Sequence, residues 1–183
     1  NPLSLYVGQK GLMEVLSRDD FSIRELSKEK RAVFVVSPDE SHSLGPVVVG
    51  ILNQIMTALI SYAHTDFDGV LPCRVDFILD EFGNLPSQIP DMEALVSASR
   101  SRNIRFHFVL QSVSQLSNVY GEEIKDVILD NIDNWFFMGS RGLQVIKHIS
   151  ELAGEAPTES GKMEPVMSVA KLQHLETRSA ETE

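Results

Sequence analysis

The stretch Val75-Asp76-Phe77-Ile78-Leu79-Asp80-Glu81-Phe82 constrains this chain most. Four of the five residues at 75–79 are apolar, and two carboxylates follow at once. Such a run is expected to form a buried parallel strand that delivers acid groups to the edge of a sheet. Many nucleotide hydrolases hold a metal and a water in that way. In an ATP site Asp80 would hold Mg²⁺, directly or through its water shell, and Glu81 would orient or deprotonate the water that attacks the γ-phosphate. A core strand ending in two solvated acids explains the same residues equally well, so the rest of the chain has to decide.

The totals narrow the class. A length of 183 residues with 43% hydrophobic and 23% charged suits one soluble domain with a real core. The single Cys73 excludes an internal disulfide, and with no Cys/His cluster beside it there is no zinc spacing. It reads as a small apolar filler in a reducing compartment. No run of about 18 apolar residues occurs, so this stretch is not expected to cross a membrane, and any attachment would lie outside it. The formal charge of −10 argues against a domain that grips nucleic acid unaided. The start at Asn1 without Met and the polar stretch Glu176 to Glu183 lead us to expect a piece of a longer protein.

Taken in order, residues 3–26 carry weak helical patterning, with Leu12, Val15 and Leu16 on one face and a capping-box match at Ser22-Ile23-Arg24-Glu25. Ala32-Val33-Phe34-Val35-Val36 predicts a first buried strand, left through the loop Ser37-Pro38-Asp39-Glu40. Gly45-Pro46 opens a long helix whose Val48, Ile51, Leu52, Ile55, Met56, Leu59 and Ala63 form an apolar stripe. After the central strand at 74–80, residues 82–90 are too rich in Gly and Pro for a regular element. A helix from about Asp91 to Arg102 should end at Asn103, and Ile104 to Leu110 predicts a third strand, finishing at Gln111-Ser112. A short helical piece, a turn at Tyr120-Gly121 and a helix to about Asp130 follow. Trp135-Phe136-Phe137-Met138 predicts a fourth strand, and Leu143 to Ala153 a helix closed by Gly154. Residues 155–183 are expected to be a polar, loosely ordered tail, with a short edge strand near Val166 to Val169.

Alternating strands and helices imply an α/β fold with a mostly parallel sheet and helices on both faces. Ligands of such sheets lie beyond the carboxyl ends of the strands. That would line up Ser37 to Asp39, Asp80-Glu81, Gln111 and Gly139 to Arg141 along one rim. The five histidines are scattered without metal-ligand spacing, and no Gly-x-Ser-x-Gly elbow supports a serine hydrolase. Trp135 and the strand phenylalanines are core by default, and Lys147 with His148 reads as a solvated helix face.

Several separate motifs now add up. Phe77-Ile78-Leu79-Asp80-Glu81-Phe82-Gly83-Asn84-Leu85, Ile89-Pro90-Asp91, Arg100-Ser101-Arg102-Asn103-Ile104, Leu110-Gln111-Ser112, Gln115-Leu116 and Tyr120-Gly121 occur in the order and spacing of a known family. From about residue 30 to 154 the chain resembles the type IV coupling proteins, the VirD4/TraG/TraD-like ATPases of bacterial conjugation and type IV secretion. The resemblance implies a partial RecA-like P-loop NTPase fold and a parent anchored at the cytoplasmic face of the bacterial inner membrane. It also implies ATP and Mg²⁺ as cofactors, hexameric assembly, and delivery of single-stranded DNA or secreted proteins to components of a secretion channel. On the matching positions Asp80 and Glu81 are the Walker B acids and Gln111 is the glutamine that senses the γ-phosphate. Coupling would run from phosphate loss at Gln111 to motion of Ser112 to Gly121. Arg100 falls where the family carries a candidate arginine finger, with Arg102 as the alternative; a cation placed at a helix C-terminus by the macrodipole explains either one as well.

One departure matters. No Gly-x-x-x-x-Gly-Lys-Ser/Thr loop is present: Gly161-Lys162 has Ala156 where the first glycine should be and Met163 in place of the hydroxyl residue. The family's Walker A loop and inserted all-helical domain precede the matched region. Residues 1–154 are therefore expected to be the C-terminal portion of a motor domain, unable to hydrolyse ATP alone and weak in nucleotide binding. A rival reading from another class is a non-catalytic module that recognises relaxosome or secreted-substrate proteins. A DNA pump of the FtsK or HerA type would share the site but not the motifs at 89–102 and 115–121.

Overall fold

The computed structural model describes residues 22–36, 45–85 and 87–175. The helical face at Leu12, Val15 and Leu16 and the rim residues Ser37 to Asp39 lie outside these. The chain divides into two compact units, one running to Gln111 and resuming at 115–131, the other made of 112–114 and the residues from Ile132 onward.

The first unit opens with a short helix, α1 (Ile23–Leu26). Its start is held by the Ser22 carbonyl, which accepts from the Glu25 N–H at 3.0 Å. The side-chain bond of the anticipated capping box does not form, because Glu25 turns instead to Arg31, 2.9 Å away. Helix α2 (Gly45–Asp66) follows, tied to α1 by an Arg24–Asp66 ion pair. Length and hydropathy alone would let α2 cross a membrane. In this unit its Val49, Ile55, Met56, Leu59 and Ala63 are buried, which gives α2 one inward stripe.

Strand β1 (Val75–Leu79) pairs in parallel with β2 (Ile104–Phe108), from Val75 opposite Ile104 to Leu79 opposite Phe108. Helix α3 (Met92–Ser99) makes the crossover between them and continues as a 3-10 turn, Arg100–Arg102. It stops where Asn103 adopts φ +63°, and the Asn103 side-chain amide donates to the Leu71 carbonyl at 3.1 Å. Helix α4 (Ser114–Asp130) is broken at Gly121, whose φ of 81° and ψ of 168° no helix contains. The turn expected at Tyr120-Gly121 is this kink, and a side chain at φ +81° would be strained.

Two expectations fail for a common reason. Ala32 to Val36 run without a ladder, leaving Phe34 and Val36 85% or more exposed, and β1 itself is buried on one face only. Phe77 and Leu79 point inward, whereas Ile78 is 73% exposed. A strand satisfies its backbone through neighbours, and among the described residues β1 has β2 alone. An open cleft of about 1810 Å³ lies between residues 29–36, α2 and β1.

In the second unit the predicted strand at Trp135 to Met138 is likewise unpaired, with Phe136 90% exposed. Trp135 is partly exposed and meets His148 edge-on, 5.4 Å between ring centres, so this tryptophan is not core. Helix α5 (Leu143–Leu152) ends at Gly154, φ +69°. The edge strand expected near Val166 is replaced by a hairpin of β3 (Glu155–Pro157) and β4 (Met163–Pro165). Val169 instead begins α6 (Val169–Gln173), whose first turn is capped by the Ser168 hydroxyl accepting from Lys171 N–H. The Ser150 hydroxyl donates to the Met167 carbonyl at 2.6 Å, and Leu172 is buried.

Candidate active site

The hydrogen bonding between β1 and β2 continues past the strands themselves. Val109 N–H donates to the Leu79 carbonyl at 3.0 Å, and Phe82 N–H donates to the Val109 carbonyl at 3.2 Å. These two bonds bring the chain leaving β1, which carries Asp80 and Glu81, against the chain leaving β2, which reaches Gln111. All three side-chain positions are exposed. The carboxyl ends of both strands thus present two acids and an amide at one edge, where ligands of parallel sheets sit.

An apolar anchor lies directly behind the acids. Phe82 is 1% exposed, with its ring centre 4.8 Å from Phe108 and 5.5 Å from Tyr120. The Tyr120 hydroxyl accepts from Ile89 N–H at 3.1 Å, and burial pushes its pKa up to about 12, so it stays a neutral phenol. The Gln88 side-chain amide donates to the Val119 carbonyl at 2.6 Å. The first half of α4 is therefore fastened near its end to residues 88 and 89 by two bonds.

The local backbone at the acids is unusual. Glu81 lies in the left-handed region, φ 49° and ψ 37°, where a non-glycine residue carries a cost of order 1–3 kcal/mol. Its N–H is held by Asp80 Oδ1 at 3.1 Å and its carbonyl accepts from Asn84 N–H at 2.8 Å. On the side-chain level, the Asn84 amide donates to Glu81 Oε2 at 3.2 Å, and the Gln115 amide donates to Asn84 Oδ1 at 3.0 Å. Gln111 N–H donates to Gln115 Oε1 at 3.1 Å. Asn84 and Gln115 stand in the motifs of the sequence, but no role was visible for them there. The only hint was the i, i+4 spacing of Gln111 and Gln115.

The arginines are placed elsewhere. Arg100 is exposed at the turn that precedes β2, so it lies at the opposite end of that strand from Gln111, roughly 16 Å along a five-residue strand. Within one chain it does not meet Asp80 and Glu81. Arg102 donates to the Ala98 carbonyl at 2.6 Å and to Ser101 Oγ at 3.3 Å, which commits it to the end of its own helix. Gly139 to Arg141 fall in the unpaired segment of the second unit and make no strand end. Cys73 is half-buried and its thiol donates to the Lys28 carbonyl at 3.1 Å.

No group of three or more His, Cys, Asp or Glu side chains that would cage a metal exists among the described residues. Mg²⁺ does not require one: it takes one or two carboxylates and otherwise waters and phosphate oxygens. A single exposed Asp80 at a strand end fits that demand.

The parallel pair crossed by one helix is an α/β unit, and the likeness to solved structures gives it a RecA-like fold. The structure matches the bacterial conjugative coupling protein TrwBdeltaN70 in its unbound monoclinic form, with a TM-score of 0.65 and 20% identity over 96% of this chain and 47% of that one. The trigonal form in complex with sulphate gives 0.67, at 18% identity over 95% of this chain and 47% of that one. A family described as the TraM recognition site of TraD and TraG matches residues 74–180, and this chain belongs to it, as the C-terminal part of a type IV coupling protein. Protein VirD4 of Rhizobium radiobacter is 30% identical over 141 residues, which is 76% of this chain and 20% of that protein. Protein VirD4 of Rhizobium rhizogenes is 29% identical over 145 residues with the same coverage. The chain thus spans about a fifth of the length of these curated relatives.

Proposed function

We propose that this chain is part of the motor domain of an ATPase that drives DNA or protein transfer in conjugation or type IV secretion. The observation that carries the reading is the joining of Asp80, Glu81 and Gln111 at one strand edge by the Leu79, Phe82 and Val109 bonds. Asp80 is the protein's carboxylate for Mg²⁺, an ion that neutralises charge on the phosphates when bound. Glu81 accepts a proton from, or orients, the attacking water. The Gln111 side chain has an amide donor for a phosphate oxygen and an acceptor for water. The phosphate loop comes from the rest of the protein, so the work is done by the longer chain. In that protein, an anchor at the cytoplasmic face of the inner membrane, a hexamer with Arg100 reaching a neighbouring subunit, and single-stranded DNA as cargo complete the reading. Arg100 at the far end of β2 supports action in trans rather than on its own Glu81.

The test is Glu81→Gln in the longer protein. Turnover should fall by at least about 1000-fold, as expected when an essential acid–base group and water positioning are lost together, while ATP binding persists. Wild-type ATPase activity in this variant overturns the assignment.

A second reading is favoured by the family match itself. The family is described as a TraM recognition site, it covers residues 74–180, and the chain carries a net charge of −10. An acidic surface of this kind suits recognition of a basic face on a relaxosome protein. Binding of purified TraM-type protein that weakens from 50 to 300 mM salt, on the order of the Debye screening at those strengths, supports it. Salt-independent binding removes the electrostatic version.

A further inference from the structure

The acids and the glutamine are joined by more than the strand ladder. We propose that Asn84 and Gln115 form an amide relay that sets the Glu81 carboxylate and the Gln111 backbone as one unit, which makes both of them positioning residues. The proposal rests on the reading of Glu81 as the catalytic acid.

The relay has a fixed polarity. At one end is the backbone N–H of Gln111, which can only donate; at the other is the Glu81 carboxylate, which when ionised can only accept. Between them Gln115 takes the Gln111 proton donor on Oε1 and donates from Nε2, and Asn84 accepts on Oδ1 and donates from Nδ2 to Glu81. Turning either amide over would set donor against donor or oxygen against oxygen. The chemistry of the two ends therefore dictates how both amides face, and such bonds in series polarise one another.

The space for the relay is also provided. A Cβ on Gly83 would lie 2.4 Å from Gln115 Cβ and 2.9 Å from its Cδ and Oε1, so Gln115 crosses where only glycine leaves room. The segment that carries Gln115 is fastened to residues 88 and 89 through Val119 and Tyr120 and ends at the Gly121 break. Asn84 holds the left-handed Glu81 at two points, its backbone N–H on the Glu81 carbonyl and its side-chain amide on Oε2. Neither amide meets the reacting atoms; each acts through Glu81 or Gln111.

Near-isosteric variants separate polarity from packing. Gln115→Glu keeps the acceptor for Gln111 but loses the donor to Asn84, and Asn84→Asp sets a carboxylate against Glu81. In the longer protein each should lower kcat by about 10–100-fold, the range a small misplacement of a catalytic group produces. KM for ATP should stay within about twofold, since binding is not what the relay serves. Hydrogen exchange of the Gln111 amide in nucleotide-free protein should quicken by about 10-fold in Gln115→Met, which removes its acceptor. Glu81→Gln is run alongside. If that variant keeps full turnover, the catalytic reading fails and the relay with it. If it is inactive while Gln115→Glu and Asn84→Asp keep wild-type kcat, the relay alone is overturned. Unchanged Gln111 exchange in Gln115→Met overturns it as well.

Discussion

The tip of β1 and the segment 32–36 have similar apolar sequences and opposite fates. At the tip, Phe82 sinks between Phe108 and Tyr120, and the polar groups around it close on one another, Asn84 on Glu81 and Gln115 on Asn84. At 32–36, Phe34 and Val36 stay exposed and no ladder forms. Trp135 to Met138 repeat the second pattern in the other unit. The tip needs only partners that the chain itself supplies between 77 and 120. A strand needs a neighbour along its whole length, and hydrophobic composition does not create one.

The sharpest way to break this contrast is Gly83→Ala. The added Cβ meets Gln115 at that residue's own Cβ, which is fixed to the backbone and cannot swing aside, so α4 or the 82–84 turn must shift. Overpacking of this sort should cost about 2 kcal/mol in urea unfolding of the chain, less the few tenths that alanine recovers by restricting the unfolded state. A loss below about 0.5 kcal/mol would mean that the tip is no more tightly built than an ordinary surface position.

What was legible in the sequence follows the same division. Helices α2 through α5 could be read because a helix satisfies its backbone internally, and its stops, Asn103, Gly121 and Gly154, are residues that tolerate positive φ. Strands β1 and β2 were found, as was the placing of Asp80, Glu81 and Gln111 at their carboxyl ends. The unpaired segments at 32–36 and 135–138 were not foreseen, since apolar runs state a preference for burial without saying whether the cover is present. Ile78 was misplaced for that reason. The relay was hidden because Asn84 and Gln115 are 31 residues apart and meet only through the turn at Gly83.

A smaller effect tests the uncovered face of the β1–β2 pair. Asp76 lies on that face, where His107 Nε2 at 3.0 Å and Arg74 Nε at 2.9 Å hold it. The hydrogen bond from His107, followed by that from Arg74, keeps its carboxyl below the ordinary carboxylate range. A depressed carboxyl pKa stabilises the fold above the unfolded value, near 3.9, and that contribution is lost as pH falls through the folded value. Asp76→Asn should therefore cost about 0.5 kcal/mol at pH 7, limited by solvent screening, with the gap closing below about pH 4. Urea midpoints of both proteins from pH 7 to 3 decide it. A gap that persists at pH 3 would assign the effect to packing instead.

The least effect is expected where the sequence is most apolar. Phe34→Ser removes a ring that is 86% exposed, and Phe136→Ser one that is 90% exposed. A residue already in water gives up almost no transfer free energy when it is shortened, so each change should stay within about 0.5 kcal/mol in urea unfolding. The same two changes at a covered strand would cost about 3–5 kcal/mol, the range for emptying a buried phenylalanine site. The two values lie far enough apart for one unfolding curve per variant to separate them. Agreement with the small value would confirm that these two exposed rings contribute little to this chain's stability. The large value at Phe34 would mean that residues 32–36 are covered in solution, and the tip of β1 would lose its distinction as the only one of these apolar stretches to find its partners.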